Sequence, residues 1–148
     1  MAEATLTRVL DVSLEDLYAT INDYKSYPEF VDACDRVEVL SQSETEAHVR
    51  YHINLMKEIS YELKHQMVPP GGSLGPDAAR VSWTLGKSAF LNSNNGGWEL
   101  KRQGKNKVEA TYRLEIDFAF PAPGFVINKL IKSSLPALLD AFEERASE

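Results

Sequence analysis

Between Lys107 and Phe120 every second residue is apolar: Val108, Ala110, Tyr112, Leu114, Ile116, Phe118 and Phe120, with Glu109, Thr111, Arg113, Glu115 and Asp117 between them. A period of two predicts a strand with one covered face and one wet face. After the breaker Pro121-Ala122-Pro123-Gly124 the period lengthens. Apolar residues at 127, 130, 131, 135, 138, 139 and 142, with Ser134 in the same stripe, predict a long helix from Phe125 to Arg145. Pro136 should bend or re-cap that helix, because its ring removes a backbone donor and crowds the preceding turn. A long strand feeding a long helix predicts a sheet wrapped around the helix, with the remaining space open to a ligand.

The same reading extends upstream. Residues 5–12 form a strand, and Ser13 is placed to N-cap a helix from Leu14 to Ile21, with Glu15 and Asp16 suiting the positive helix end. Tyr24 to Ala33 reads as a short helical or turn segment. Residues 35–41, 45–56, 57–68, 79–87, 96–102 and 107–120 read as further strands. The turns between them are Ser43-Glu44, the loop Pro69 to Asp77, Asn94-Asn95-Gly96-Gly97 and Gly104-Lys105-Asn106. Short connections favour antiparallel hairpins. The expected fold class is α+β, an antiparallel sheet of about seven strands around a long C-terminal helix, with two short helices near the N-terminus.

Alternation also assigns faces. Val49, Tyr51, Ile53 and Leu55 share one face of their strand, as do Ile59, Tyr61, Leu63, His65 and Met67 on the next, then Val81, Trp83 and Leu85, then Trp98 and Leu100. Joined to Tyr112, Leu114, Ile116 and Phe118 under the helix residues Ile127, Leu130 and Ile131, they outline an apolar enclosure carrying a few polar handles. The candidate ligand-binding set is therefore Tyr51, Ile53, Tyr61, Leu63, His65, Trp83, Trp98, Tyr112, Leu114, Ile116, Phe118, Ile127, Leu130 and Ile131.

Composition narrows the setting. A chain of 148 residues fits one domain over 1–148, and 43% hydrophobic with 26% charged residues is ordinary for a globular protein. The start Met1-Ala2-Glu3-Ala4-Thr5 has no signal-peptide character, and the lone Cys34 allows no internal disulfide, so the expected compartment is the cytoplasm. A net charge of −6 argues against a nucleic-acid partner. The densest basic group, Lys101, Arg102, Lys105 and Lys107, brackets a turn and reads as a solvated hairpin tip.

Chemical candidates are few. His48 and His52 would pair on a helix, but on a strand they lie roughly 13 Å apart, too far to share a metal. His65, on the inward face near Tyr61, is a candidate general base or hydrogen-bond donor; the alternative is a core histidine satisfied by a neighbour. Tyr51, Tyr61 and Tyr112 could orient a ligand or simply reach the rim. Trp83 and Trp98 read as core and cavity wall, since indole only donates. Arg50, Arg80 and Arg113 fall on wet faces, which weakens any cyclase chemistry that needs a cavity arginine to stabilise an enolate. No cofactor or metal is called for by the sequence.

The segment Ile21-Asn22-Asp23-Tyr24-Lys25-Ser26-Tyr27-Pro28-Glu29-Phe30-Val31 resembles the entry motif of the START-like polyketide cyclase/dehydrase and lipid-transport (SRPBCC) superfamily, an Asp-Tyr pair followed by Tyr-Pro-x-Phe. Asn95-Gly96-Gly97-Trp98, Glu115 to Phe120 and the final helix extend the likeness over nearly the whole chain, nearest to its coenzyme Q-binding and ribosome-association-toxin branch. The resemblance implies a helix-grip fold. It leaves function open among quinone or lipid binding, polyketide cyclisation and action on ribosomes. In the quinone-binding branch it implies an apolar tunnel without a catalytic set. The Gly/Pro-rich loop from Pro69 to Asp77 departs from the pattern and could alter a cavity entrance. A carrier of a hydrophobic small molecule, an isoprenoid quinone, lipid or polyketide-like compound, is the leading expectation. A polyketide cyclase or aromatase-like enzyme and a ribosome-associated protein are the alternatives. Tyr27, Pro28 and Phe30 read as structural, locking the small helical segment over one end of the barrel. Phe125, Val126 and Ile127 beside Lys129 and Lys132 have the arrangement of a transient membrane contact; the rival reading packs all three inside.

Overall fold

The computed structural model describes residues 2–55, 57–129 and 134–148. Nine elements of this order frame the fold: β1 (Ala2–Leu10), α1 (Leu14–Ile21), a 3-10 segment (Tyr24–Glu29), β2 (Cys34–Gln42), β3 (Glu46–Leu55), β4 (Lys57–Val68), β5 (Ala78–Leu85), β6 (Leu91–Gly104) and β7 (Lys107–Phe118), followed by α2 (Gly124–Asn128) and α3 (Ser134–Ala146). The strands make one antiparallel sheet in the order β1-β7-β6-β5-β4-β3-β2. Every neighbouring pair except β1 with β7 is a sequential hairpin, and that exception places the first strand beside the last. The curved sheet and its C-terminal helix form the helix-grip arrangement expected of the α+β pattern.

Local chemistry explains several boundaries. Ser13 is extended (φ −73°, ψ 152°) and its hydroxyl accepts from the Asp16 N–H at 3.1 Å, capping α1. Leu14, Leu17 and Ile21 form the buried stripe of α1. The Pro69–Asp77 loop closes on itself through Gly71 N–H to the Gly75 carbonyl at 2.9 Å, and both glycines have φ of +87°. Arg102 pins the loop's end, donating to Asp77 at 2.9 Å and to both carboxylate oxygens of Glu15 at 2.9 and 2.6 Å. With Lys107 paired to Asp11 at 2.7 Å, part of the basic hairpin group is spent on ion pairs.

Two boundaries differ from the sequence reading. β1 runs over Ala2–Leu10 rather than 5–12, because its whole length pairs with β7 from Ala2 opposite Ile116 to Leu10 opposite Val108. β6 begins at Leu91, so Asn94-Asn95-Gly96-Gly97 is strand rather than turn. These glycines lie where neighbouring groups approach too closely for a side chain: a Cβ on Gly96 would sit 2.2 Å from the Arg113 carbonyl oxygen and 2.7 Å from Trp83 Cζ2. The C-terminal stripe is described over α2 and α3; residues 130–133, where the expected helix would continue between them, lie outside the described set. Pro136 lies within α3, and its carbonyl accepts from Arg8 at 3.2 Å.

Phe142 on α3 ties the helix to the sheet. It is 2% exposed and meets the rings of Trp98, Phe30 and Tyr27 edge-on at centroid distances of 5.1, 5.1 and 5.4 Å. Arg8 of β1 also pairs with Asp140 of α3, and Arg145 pairs with Glu29 at 2.9 Å while lying over the Phe30 ring. The helix is thus held at both ends of its described length. No helix among the described residues is long and apolar enough to cross a membrane.

Candidate functional site

Between the concave face of the sheet and α2 and α3 lies a cavity of about 650 Å³. Its wall is assembled from inward positions of five strands: Tyr51 and Ile53 of β3, Tyr61, Leu63 and His65 of β4, Trp83 of β5, Asn94 and Trp98 of β6, and Tyr112, Leu114 and Ile116 of β7. Leu135, Leu138 and Phe142 of α3 close the helix side, while Tyr27, Phe30 and Cys34 close the end formed by the 3-10 segment and β2. The mouth is bordered by Asp32, Asn54, Phe125 and Lys129, all exposed. Ala33 at this rim adopts φ of 66°, and its carbonyl accepts from Asn54 N–H at 2.9 Å, which joins the turn before β2 to the end of β3.

Of the candidate set, Tyr51, Ile53, Tyr61, Leu63, His65, Trp83, Trp98, Tyr112, Leu114 and Ile116 border this one cavity. Phe118 and Ile127 do not. They border a second, shallower pocket with Ala2, Glu3, Phe120 and Asn128. β7 outruns the cavity: Phe118 pairs with Leu91 at the far end of β6 and packs against Phe120 at 5.3 Å in a satellite cluster. Leu130 and Ile131 lie outside the described residues. The Pro69–Asp77 loop contributes nothing to the described lining, so it does not shape the mouth; Arg102 and Glu15 hold it elsewhere.

The sequence reading missed Asn94, which is 3% exposed and accepts from Trp83 Nε1 at 3.0 Å. Its signal was the Gly96-Gly97 pair, whose position inside a strand marks close approach by Trp83 instead of a turn. Tyr27 and Phe30, expected to be structural, pack against Phe142 and also line the cavity.

The polar groups of the wall are held by rings. His65 is 5% exposed, lies against the Tyr24 ring at 4.7 Å, meets Trp83 at 5.8 Å and is hydrogen-bonded through Nε2 to the Tyr51 hydroxyl at 2.8 Å. Burial drives its pKa down from 6.5 to about 3, so the imidazole is neutral at physiological pH. His65 Nδ1 is buried and has no protein partner among the described residues. Tyr51, Tyr61 and Tyr112 are each pushed up by burial first and stay protonated. Burial also pushes the Cys34 thiol up to about 11, which removes thiolate nucleophilicity. Arg50, Arg80 and Arg113 are absent from the described lining. His48 and His52 sit on the outer face beside Glu62 and Glu38 at 2.7 and 2.8 Å, and the described residues contain no metal-binding cluster. The described wall thus offers neutral hydrogen-bonding groups set among apolar side chains.

Residues 10–143 match the family described as polyketide cyclase/dehydrase and lipid transport. The chain belongs to that family. Among curated proteins, the family member at hand is 26% identical over 135 residues to the ribosome association toxin RatA of Pseudomonas aeruginosa, covering 89% of this chain and 86% of that protein. Among solved structures, the STAR-related lipid transfer protein of Xanthomonas axonopodis matches with a TM-score of 0.80 at 12% identity, over 97% of this chain and 85% of that one. The Zhui aromatase/cyclase of Streptomyces sp. R1128 matches with a TM-score of 0.65 at 16% identity, over 98% and 86% of the two chains. At these identities the structural likenesses establish the START-like fold and no more.

Proposed function

We propose that this family member binds and carries a hydrophobic small molecule in its internal cavity, as a single ligand-binding domain acting in the cytoplasm. The observation that carries the reading is the cavity itself: about 650 Å³ walled by aromatic and aliphatic side chains, with its charged lining residues, Asp32 and Lys129, at the exposed mouth. An isoprenoid quinone, a lipid or a polyketide-like compound has the required shape and polarity. Catalysis is the weaker reading. A cyclase working through an enolate needs a cavity cation or a paired acid and base, whereas the described wall offers a neutral His65 already engaged by Tyr51.

Delivery of a water-insoluble cargo calls for contact with a membrane, and Phe125 supports this part of the proposal. It is 67% exposed at the mouth, one helical turn from Lys129, while Val126 beside it is buried. Phe125→Ser is expected to slow transfer of a fluorescent lipid between vesicles without changing affinity for lipid in solution; equal transfer rates remove the membrane step.

The central test is native mass spectrometry of protein purified from its own host, beside an Ala141→Trp variant whose added ring projects from the cavity wall. A one-to-one apolar adduct on the wild type that is lost in the variant is the expected result. Absence of any adduct on both, together with no uptake of lipids from vesicles, refutes carriage. The similarity to RatA supports a second reading, association with ribosomes. Co-sedimentation with ribosomal particles that Ala141→Trp leaves unchanged would favour it.

A further inference from the structure

Deep in the cavity the protein holds hydrogen-bond donors that its own described groups leave unspent. Indole nitrogen can only donate, so the 3.0 Å bond from Trp83 Nε1 fixes the Asn94 amide with its oxygen toward Trp83 and its two N–H bonds turned away. Among the described residues, Asn94 Nδ2 and the hydroxyls of Tyr61 and Tyr112 have no protein partner, although all three side chains line the cavity. Their positions are set by packing. Tyr112 lies against Trp98 at 4.9 Å and Trp83 at 5.6 Å, and Tyr61 stacks on Tyr51 at 5.6 Å with an interplanar angle of 27°.

Among the described residues these donors have no counter-charge beside them. The charged residues of the described lining, Asp32 and Lys129, are both exposed at the mouth, so the rest of the described lining is neutral. A carboxylate or phosphate drawn in would lose its hydration with no cation of that described inner wall to replace it. A pure hydrocarbon would bury the three donor groups unpaired. An uncharged molecule with a carbonyl-type oxygen avoids both costs.

We infer that the cavity selects uncharged ligands whose acceptor oxygen is held by Asn94, Tyr61 and Tyr112, and that it rejects the free acid of the same skeleton. This rests on the ligand-binding reading above and adds the chemical class of the ligand and the residues that read it. Lys129, the cation of the described lining, is exposed at the mouth.

The test uses three fluorescent probes built on one 2-dimethylaminonaphthalene: the 6-propionyl ketone, the 6-propyl hydrocarbon and the 6-carboxylate, titrated at pH 7.5. The ketone should bind roughly tenfold tighter than the propyl compound, and the carboxylate more weakly than either. Tyr61→Phe combined with Tyr112→Phe removes two hydroxyls and little volume. It should bring the ketone's affinity close to that of the propyl compound. A carboxylate that binds as tightly as the ketone overturns the inference, as does a wild-type protein with no ketone preference or a double variant that retains it. Binding of the propyl compound without ketone preference overturns this inference alone. Failure of all three probes removes the ligand-binding reading as well. If the double variant does not fold, the wild-type comparison of the three probes still decides.

Discussion

The two faces of β3 and β4 carry histidines into opposite environments. On the inner face His65 is enclosed by Tyr24, Tyr51 and Trp83, with no carboxylate paired to it among the described residues, and its pKa falls to about 3. On the outer face His48 meets Glu62 at 2.7 Å, His52 meets Glu38 at 2.8 Å, and Arg50 bridges the two carboxylates at 3.0 and 3.4 Å. Arg50 lowers the Glu62 pKa and His52 lowers that of Glu38. One alternation of side chains thus produces a dry, neutral wall and a charged, solvated lattice. Burial decides the state of the inner histidine, and partners decide the state of the outer carboxylates.

The sharpest way to break the inner wall is Phe142→Ala. Removing a ring that touches Trp98, Phe30 and Tyr27 should cost about 3–5 kcal/mol, read as a drop in the denaturant midpoint. A loss under about 1 kcal/mol would show that α3 is not anchored by this residue.

Next is the response to pH. The folded pKa of His65 lies below its unfolded value of 6.5, so the neutral imidazole's contribution is fully present above about pH 6.5 and is lost as pH falls towards about 3. Lowering pH from 7 to 5 should cost about 2 kcal/mol through this group, and His65→Gln should remove that share of the slope. The outer carboxylates act in a lower window. Their depressed pKa values supply stability above the ordinary carboxylate value of 4.5, lost as pH falls through the folded values. Denaturation curves of both proteins at pH 7, 5.5 and 4 (chosen conditions spanning roughly these windows) separate the two faces.

Glu62→Gln probes the outer lattice itself. The Glu62 side chain is 10% exposed and faces Arg50 and His48, so its loss should cost about 1 kcal/mol in the urea midpoint, less at high salt. At the small end, Arg80→Ala breaks an exposed pair with Glu99 at 3.6 Å and should change stability by less than about 0.5 kcal/mol. If the Glu62 and Arg80 variants lose equal stability, the outer network has no special standing among surface pairs.

Much of this architecture is written in local patterns. Alternation from Val108 to Phe118 depends only on the chemistry of neighbouring residues in an extended chain, so it predicted both the strand and its covered face. The same holds for Tyr51, Tyr61, His65 and Trp83, whose inward positions follow from period two, and for Ser13, whose cap is a contact across three residues. What residues meet across the fold was not local. Asn94-Asn95-Gly96-Gly97 has turn composition, and it is a strand because it pairs with β7 and, at Gly96 and Gly97, with β5. Phe118 continues the alternation of Ile116, yet it leaves the cavity for a second pocket that it shares with Ile127 and Asn128 of α2. The sequence by itself determined which side chains point inward, since that depends on the backbone period. The tertiary structure decided which of them share a cavity, which donors stay unspent and where the mouth opens, because those depend on the curvature of the sheet and on the placement of α2 and α3 against it.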